Sequence, residues 1–233
     1  MTPRILYADT MAGLVQAVRS AGIARNRPVL VLIGGASRMD PRLKPILCDL
    51  FVKSLIPMVE RLGGAIVDGG TDAGIMRVIG RAHARTGASF PLVGIAAEGT
   101  VTVTGTGDRD RRAGALPEPH HSHLILVPGR LWGDESPWLS ATATIIAEGS
   151  PSATLLINGG LITRDDARRS LSAGRVLIVL AGSGRLADSI AHAHNRIRYP
   201  DATGLARSPL TRIVSLYQPQ EIVSAIENSL TAR

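Results

Sequence analysis

The stretch AIVDGGTDAGIM, residues 65–76, indicates the fold more clearly than any other part of the chain. Its apolar run ends on Gly69-Gly70, and the helical pattern of IMRVIGRAHAR (75–85) begins almost at once. A buried strand that passes directly into a helix is typical of a βαβ unit in a parallel sheet. The first amide groups of such a helix have no acceptor within the helix, and free amides at a helix N-terminus suit an anion such as a phosphate.

The rest of the chain repeats this alternation of strand and helix. Short runs rich in Val, Ile and Leu, few of which alternate with polar residues, are typical of strands buried on both faces. They lie at 4–8, 28–35, 64–70, 91–97, 123–127, 153–160, 175–184 and 212–217. Amphipathic helical patterns separate most of them, at 10–21, 41–62, 72–86, 137–148, 163–173, 185–196 and 219–230.

This alternation predicts an α/β fold: a Rossmann-like, doubly wound and mainly parallel sheet of about seven to eight strands in three layers. No repeat or linker divides the sequence, so we expect a single domain over residues 1–233. The segment 98–122 is polar and rich in glycine without a helical period, and we expect a long mobile loop there.

Composition limits the classes of partner. The net charge is +7, and 26 residues are basic, nearly all of them arginine, but they are scattered along the chain. Aromatic residues make up 3%, too few for base-stacking platforms, so nucleic acid is an unlikely partner while small phosphorylated ligands remain open. The single cysteine, Cys48, cannot form an intrachain disulfide. Without an apolar run of membrane length or a signal segment, we expect a cytoplasmic protein.

Four glycine-rich loops follow predicted strands, at 33–37, 68–76, 158–163 and 181–188. The carboxyl ends of parallel strands meet at one edge of the sheet, where ligands bind. Any one of these loops is also compatible with a tight turn, but four on one edge favour a phosphate-binding surface. The candidate ligand residues in them are Gly34, Gly35, Ser37, Arg38, Gly69, Gly70, Thr71, Asp72, Gly74, Asn158, Gly159, Gly160, Gly182, Ser183, Gly184 and Arg185.

None of these loops has the spacing of two common nucleotide-binding motifs. The G-x-G-x-x-G fingerprint with a later acidic residue and the G-x-x-x-x-G-K-[ST] loop are both missing, which argues against ordinary NAD-dependent oxidoreductases and ATPases. For Ser37 and Arg38 a turn before Pro41 is as good an interpretation as phosphate contact.

The motifs DGGTDAGIM (68–76) and GSGRLAD (182–188) resemble those of the SLOG superfamily, which includes the LOG nucleotide phosphoribohydrolases. LOG enzymes carry G-G-G-x-x-G-x-M and P-G-G-x-G-T-x-x-E. The first motif is matched by Gly69, Gly70, Gly74 and Met76, with Thr71 at the third glycine. The second is matched by Gly182 and Gly184, with Arg185 at the threonine and Asp188 at the catalytic glutamate.

The stronger resemblance is to the LSDAT branch, the SLOG-type domain of melastatin-type TRP channels and its free-standing prokaryotic relatives. It covers residues 28–192 through VLIGGAS, GGTDAGIM, PLVGIA, HHSHLILV, TLLINGG and VLAGSGRLAD. This resemblance implies a nucleotide-derived ligand, with ADP-ribose-like or cyclic nucleotides as the leading class, and a role in signalling or defence. It also implies a homodimer or higher oligomer. Since the chain carries no channel segment, the resemblance implies a separate effector partner, such as a small membrane protein.

The alternative function is LOG-type hydrolysis of the N-glycosidic bond of a nucleoside monophosphate, with Asp188 as the only catalytic candidate. Aspartate is one methylene shorter than glutamate, and about 1 Å of displacement can cost roughly 100-fold in rate, so binding is favoured over turnover. Asp188 could instead simply pair with Arg185, three residues earlier on the helix. A third interpretation is a polypeptide-binding scaffold with empty glycine loops. We expect no required cofactor.

Two further groups of residues are candidates for ligand contact. In GRLWGDESPWLS (129–140), Trp132 and Trp138 flank Asp134, Glu135 and Ser136. One of the indoles could stack on a base, and a carboxylate such as Glu135 could accept hydrogen bonds from ribose. Equally, Ser136-Pro137 could cap a helix against which Trp138 packs. His120, His121 and His123 form a cluster in which i, i+2 spacing places the last two on one face of a strand. We expect no acidic or cysteine side chain to accompany them nearby, and the HEXXH pattern is absent, so we expect structural or ligand-contacting histidines and no metal site.

Overall fold

One sheet of eight strands organises the chain in the computed structural model, which describes residues 2–35, 39–103, 114–193 and 200–232. The strands are β1 (Arg4–Tyr7), β2 (Val29–Gly34), β3 (Ala65–Asp68), β4 (Leu92–Ala97), β5 (His123–Val127), β6 (Ser152–Ile157), β7 (Val176–Ala181) and β8 (Thr211–Ser215). They pair in the order β1-β5-β4-β3-β2-β6-β7-β8, and every pairing is parallel. The predicted doubly wound α/β fold is therefore confirmed.

Helices cover both faces of this sheet. They are α1 (Met11–Ser20), α2 (Leu43–Leu50), α3 (Ile56–Arg61), α4 (Gly74–Thr86), α5 (Ser136–Ala147), α6 (Leu161–Ser172), α7 (Arg185–Ala193), α8 (Pro200–Ala206) and α9 (Pro219–Thr231). None of the helices in the described part of the chain is both long and apolar enough to cross a bilayer.

Successive residues of each central strand enter different cores. In β2, Val29 and Val31 join the core beneath α1, α5, α6, α7 and α8, whereas Leu30 and Leu32 join the core beneath α2, α3, α4 and α9. Because both cores are apolar, the strand has no polar face, which explains why the apolar runs of the sequence do not alternate. The helices on each face and the sheet between them make the three predicted layers.

The structure divides the single helix that the sequence predicts over 41–62. A π-helical segment, Phe51–Leu55, separates α2 from α3. Pro57 lies in the first turn of α3 and has no N–H to donate to the preceding turn, so the regular α-helical ladder cannot run through this point. The segment keeps Phe51 and Leu55 fully buried, so the core contact survives the break.

Part of the loop predicted over 98–122 has regular contacts. A 3-10 turn occupies Glu98–Thr100, Val101 pairs with Ala115, and Pro117 pairs with Thr71. Residues 104–113 lie outside the described residues, so mobility of this loop stays a prediction.

The order of the strands creates a switch point between β2 and β6. From β2 the chain proceeds through β3 to β4 on one side, and from β6 it proceeds through β7 to β8 on the other. The chain therefore leaves β2 and β6 toward opposite faces of the sheet. An open parallel sheet binds its ligands beyond the carboxyl ends of its strands at such a switch point.

A glycine in the loop after β3 allows a close approach between strands. At Gly70, where φ is +63°, a Cβ atom would lie 2.6 Å from Leu124 Cδ1 and 2.7 Å from Gly94 Cα. Gly63 has nearly the same φ of +62° but has no atom within 4 Å of its Cβ position. A comparison of substitutions at these two glycines therefore separates the cost of backbone strain from the cost of steric overlap.

We expect Gly70→Ala to lower the free energy of unfolding by about 1–3 kcal/mol more than Gly63→Ala does, because only the first variant forces atoms apart in a packed region. Both variants share a conformational cost of about 1 kcal/mol at positive φ. Urea unfolding of the two variants measures the difference. Equal losses would contradict the packing role of Gly70.

Candidate functional site

The β2 and β6 loops touch at the switch point because Gly34 and Gly35 of the β2 loop leave room for Ile157 and Asn158. A Cβ atom at Gly35 would overlap the side-chain oxygen of Asn158, and one at Gly34 would overlap the carbonyl oxygen of Ile157. Glycine at these two positions is therefore required for the approach of the loops, apart from any contact with a ligand.

Asn158 joins the β6 loop to the β7 loop. Its backbone N–H donates to Ser183 Oγ at 2.8 Å, and its side-chain Nδ2 donates to the Ser183 carbonyl at 2.7 Å. Its Oδ1 accepts from Gly159 N–H at 2.9 Å. Asn158 holds a positive φ of 60°, a conformation that asparagine tolerates better than most residues. One buried residue thus links the β6 and β7 loops.

The N-terminus of α7 is already covered by protein atoms. Ala187 N–H donates to the Asn158 carbonyl at 3.0 Å, and Leu186 N–H donates to the Gly159 carbonyl at 3.4 Å. Asp188 Oδ1 accepts from Gly182 N–H at 2.7 Å, so this carboxylate closes its own loop and is not paired with Arg185. The predicted pairing of Asp188 with Arg185 is wrong, and few α7 amides are left for an anion.

The N-termini of α6 and α4 are different, because no side chain caps them. The N-cap residues are Gly160 and Ala73, neither helix has an acidic residue in its first turn, and neither N-cap side chain accepts a hydrogen bond. By contrast, Thr10 caps α1 by accepting from Gly13 N–H at 3.0 Å. The uncovered amides expected after Gly69-Gly70 are therefore present, and α6 offers a second set beside the switch point.

Arg185 places its guanidinium group at the N-terminus of α6. A Cβ atom at Gly160 would lie 2.7 Å from Arg185 Nη2, so the guanidinium lies directly against the N-cap residue. Arg185 is exposed and has a φ of +52°, and no carboxylate among the described residues forms an ion pair with it. A positive guanidinium and free helix amides thus face the same volume, which favours a phosphate group.

A buried ion cluster lies beneath the loop after β3. His121 Nε2 is 2.7 Å from Asp68 Oδ1, and His121 Nδ1 is 2.9 Å from Glu118 Oε2. Asp68 Oδ1 also accepts from Gly70 N–H at 2.7 Å, and the other Glu118 oxygen, Oε1, is 2.7 Å from His120 Nδ1. The Asp68, Glu118 and His121 side chains are almost completely inaccessible to solvent. They hold the loop after β3 against the segment that leads into β5.

The two carboxylates keep His121 protonated. Burial alone lowers the pKa of His121, but the charges and hydrogen bonds of Asp68 and Glu118 outweigh it and raise that pKa to about 9. Burial alone raises the pKa of Glu118, but its hydrogen bonds with His121 and His120 leave it below its usual value. The cluster is therefore an imidazolium between two carboxylates at neutral pH.

We expect His121→Gln to destabilise the protein by roughly 3–5 kcal/mol near pH 6, because it leaves two buried carboxylates without a cation. The folded-state pKa of about 9 lies above the unfolded value of about 6.5. The contribution of the imidazolium is therefore fully present below about pH 6.5 and is lost as the pH rises through about 9. Urea unfolding of wild type and variant between about pH 6 and pH 9.5 measures this.

The matched control is His83→Gln. His83 is also buried and bonds to the Phe90 carbonyl at 3.0 Å, but burial lowers its pKa, so it is neutral at pH 7. Its stability difference should therefore stay level above about pH 6.5. A similarly level difference for His121→Gln would mean that His121 is not charged in the folded protein.

Two carboxyl groups, Glu135 and Asp166, lie close together beside α6. Burial raises the pKa of Glu135, and burial together with the charge of Glu135 raises the pKa of Asp166 to about 7. The buried hydroxyl of Ser136 faces Asp166 without completing a hydrogen bond of good geometry. Ser136 is the first residue of α5 and does not cap that helix with its side chain, but Pro137 lies in the first turn and Trp138 packs against the core, as the structural interpretation of this segment expected.

Exposed apolar side chains border these groups. Ile162 is the nearest neighbour of Gly133, at 3.5 Å from its Cβ position, which brings the Trp132 loop against the first turn of α6. Trp132 is 51% exposed, Leu131 before it is 70% exposed, and Leu161 at the start of α6 is 75% exposed. An indole with this exposure, next to an uncapped helix, is available to stack on a planar ligand group.

The predicted site residues thus fall into different groups. Glu135, Asn158, Gly159, Gly160 and Arg185 come together around α6. Thr71 and Asp72 mainly bind protein: Asp72 N–H donates to the Leu116 carbonyl at 2.7 Å, and its Oδ1 accepts from Arg77 Nε at 2.6 Å. Gly69, Gly74, Gly182, Ser183 and Gly184 line the edge. Ser37 and Arg38 lie outside the described residues, and ligand contact by any of these residues stays a prediction.

The histidines do not form one cluster. His121 faces Asp68, whereas His123 begins β5 and its Nδ1 lies 2.9 Å from Ser122 Oγ, so the expectation of a shared strand face is wrong. Among the described residues, no three His, Cys, Asp or Glu side chains are grouped so that they could hold a metal ion.

Three residues of this edge were missed in the sequence. Asp68 ends β3 as a buried acid, Asp166 lies in the second turn of α6, and Tyr217 lies two residues after the end of β8. An aspartate that ends an apolar run is a usable signal, since a buried charge needs a partner. Asp166 and Tyr217 carry no comparable signal, because surface residues of the same types are common.

A parallel, doubly wound sheet with glycine-rich loops at its switch point and an uncapped helix beside them defines a Rossmann-like α/β protein. The chain belongs to the family described as SLOG in TRPM, prokaryote, which matches residues 27–224. The resemblance stated from the sequence is thereby confirmed. Membership supports a nucleotide-related role, either in binding or in processing.

Individual relatives are more distant. The chain is 24% identical over 202 residues to transient receptor potential cation channel subfamily M member 2 of Mus musculus, covering 70% of the chain. It is 26% identical over 203 residues to subfamily M member-like 2 of Nematostella vectensis, covering 72%. In both cases the matched part is only 13% of the relative's length, so the match concerns one region of a much longer protein.

Solved structures share the fold. TM1055, a structural-genomics target, superposes with a TM-score of 0.55 at 20% identity, covering 86% of this chain and 99% of that one. The molybdenum cofactor binding protein of Rippkaea orientalis has a TM-score of 0.53 at 13% identity, covering 86% and 97%. At such identities the likeness establishes the α/β architecture alone.

Proposed function

We propose that this protein binds a nucleotide-derived ligand, of the ADP-ribose-like or cyclic nucleotide class, with a phosphate group at the N-terminus of α6. The observation that carries this proposal is the guanidinium of Arg185, which has no carboxylate partner among the described residues and lies against the N-cap Gly160. A fixed cation beside free helix amides is an arrangement that favours phosphate oxygens.

The surroundings of α6 suit the other parts of a nucleotide. Trp132 presents an exposed indole on which a base could stack. Glu135 Oε2 accepts from Gly133 N–H at 2.9 Å, and the other carboxylate oxygen, Oε1, is proposed to accept from a ribose hydroxyl group. These groups border the same helix turn through the contact between Gly133 and Ile162. Phosphate, sugar and base subsites are therefore adjacent along the carboxyl edge.

The family also supports a sensor in a signalling or defence context. On this proposal the protein acts in the cytoplasm without a resident cofactor, as a homodimer or higher oligomer. The bound state is then passed to an effector protein, for which a small membrane protein is the candidate. The part of the proposal that the geometry of α6 supports is ligand binding.

We expect Arg185→Ala to weaken binding of ADP-ribose about 10- to 100-fold, since a charge-assisted contact to phosphate contributes about 1.5–3 kcal/mol. The control is Arg168→Ala, which removes an exposed arginine from the later part of α6. Isothermal titration calorimetry with both variants measures the difference. Equal affinities in wild type and Arg185→Ala would contradict the proposed phosphate site.

The hydrolase alternative depends on Asp188, and the structure gives this residue another task. Its Oδ1 accepts from Gly182 N–H, so the carboxylate is oriented toward its own loop. A LOG-type reaction needs a carboxylate near the anomeric carbon, held with an accuracy of about 1 Å. This contact supports binding as the main function.

We therefore expect AMP and ADP-ribose to remain intact after prolonged incubation with the protein, as measured by liquid chromatography. The same incubation with Asp188→Asn controls for contaminating hydrolases. Free base that appears with wild type and is lost in Asp188→Asn would establish the phosphoribohydrolase instead of the sensor.

A further inference from the structure

Exposed aromatic side chains are concentrated at the carboxyl edge. The chain has only seven Phe, Trp and Tyr residues. Of those that the structure describes, the three most exposed are Tyr7 (52%), Trp132 (51%) and Tyr217 (70%). Tyr7 ends β1, Trp132 follows β5 and Tyr217 follows β8, so all three lie where strands end. Tyr217 is the most exposed of them, and the proposed function leaves it unused.

Tyr217 lies directly beside the β7 loop. A Cβ atom at Gly182 would lie 3.4 Å from Tyr217 Cε2, which is an ordinary van der Waals distance. Gly182 is itself exposed and has a φ of +88°. The phenol ring therefore stands next to a stretch of bare backbone, and a planar group could approach both without meeting a side chain at position 182.

The backbone turn that carries the Tyr217 ring is anchored by hydrogen bonds. Gln218 N–H donates to the Ser215 carbonyl at 3.1 Å, and Tyr217 N–H donates to Ser215 Oγ at 3.3 Å. Leu216, which precedes the tyrosine, is buried, and its N–H donates to the Ala181 carbonyl at 2.8 Å. The exposed ring thus sits on an anchored turn beside β7.

Tyr217 and Trp132 lie at opposite ends of one row of contacts. Trp132 is next to Gly133, which neighbours Ile162 in the first turn of α6; Gly160 touches Arg185; and Gly182, in the same loop as Arg185, touches Tyr217. Between the loop after β6 and Tyr217 after β8 the row crosses two strand spacings, on the order of 10 Å. The proposed phosphate site, at Gly160 and Arg185, lies in this row between Gly133, which follows Trp132, and Gly182, which touches Tyr217.

We propose that the protein recognises a ligand with two bases joined through phosphates, a dinucleotide-type molecule, and that Tyr217 stacks on the second base. This inference rests on the proposed function, since it keeps the phosphate at α6 and the first base on Trp132. A mononucleotide or ADP-ribose would use one aromatic ring and leave the other in solvent.

The test compares NAD with ADP-ribose, which differ by one ring, the nicotinamide. A stacked base contributes roughly 10-fold or more to affinity, so we expect wild type to bind NAD about 10-fold more tightly than ADP-ribose. Tyr217→Ala should remove this preference while the affinity for ADP-ribose stays unchanged, and Tyr217→Phe should retain it. Calorimetric titration gives both constants for each variant.

Tyr7→Ala is the matched control, since Tyr7 is an exposed tyrosine at the carboxyl end of a strand at the other side of the sheet. It should leave the preference for NAD intact. An unchanged NAD preference in Tyr217→Ala, or no preference in wild type, would overturn the inference; if Arg185→Ala still weakens both ligands, the proposed function stands. If wild type binds neither ligand, the proposed function and this inference both fall.

Discussion

The parallel pairing of β2 with β6 is the constraint on which the edge depends. The two strands pair along six residue positions, from Val29 with Ser152 to Gly34 with Ile157. This register brings the ends of both strands level, and the following loops then diverge toward opposite sides of the sheet. Without that pairing, the N-terminus of α6 and the loop of Arg185 would not lie next to each other. The switch point is therefore a consequence of strand order rather than of any single residue.

A second constraint acts on the neighbouring half of the edge. Asp68 and Glu118 are buried away from water, and His121 supplies the charged partner that each carboxylate needs there. Glu118 also occupies the space left by Gly80 in α4, where a Cβ atom would overlap its carboxyl group. The segment before β5 is consequently held against both the loop after β3 and the helix that follows it. The two halves of the edge are thus stabilised by different interactions: the hydrogen bonds of Asn158 after β6 and the ion pairs of His121 after β3.

The sequence predicted the strands well for a simple reason. Each central strand is buried on both faces, so its apolar run is continuous and easily recognised. The helix over 41–62 was predicted too long, because periodicity does not detect the π-helical segment before Pro57. The glycine loops were located by their composition, but composition could not distinguish their tasks. Gly34, Gly35 and Gly70 serve close packing, whereas Gly160 leaves room for Arg185.

The contacts that define the site could not be predicted, because they join distant parts of the chain. Nothing in the spacing indicates that the Arg185 guanidinium reaches Gly160 or that Asp188 binds Gly182 N–H. The His121 cluster likewise joins residues 53 positions apart. Side-chain direction at the start of α7 depends on the positive φ of Arg185, a backbone state that a non-glycine residue rarely adopts. Such states follow from tertiary contacts, which a single sequence does not reveal.

The side chain of Asn158 has a consequence for the energetics of association at this edge. Because it bonds to Ser183 and Gly159 at the same time, the β6 and β7 loops are preorganised as one rigid corner. Loops that must order on binding lose conformational entropy, and that loss lowers affinity. A corner that is already ordered has little of this entropy to lose, so association there costs mainly the freedom of the incoming molecule.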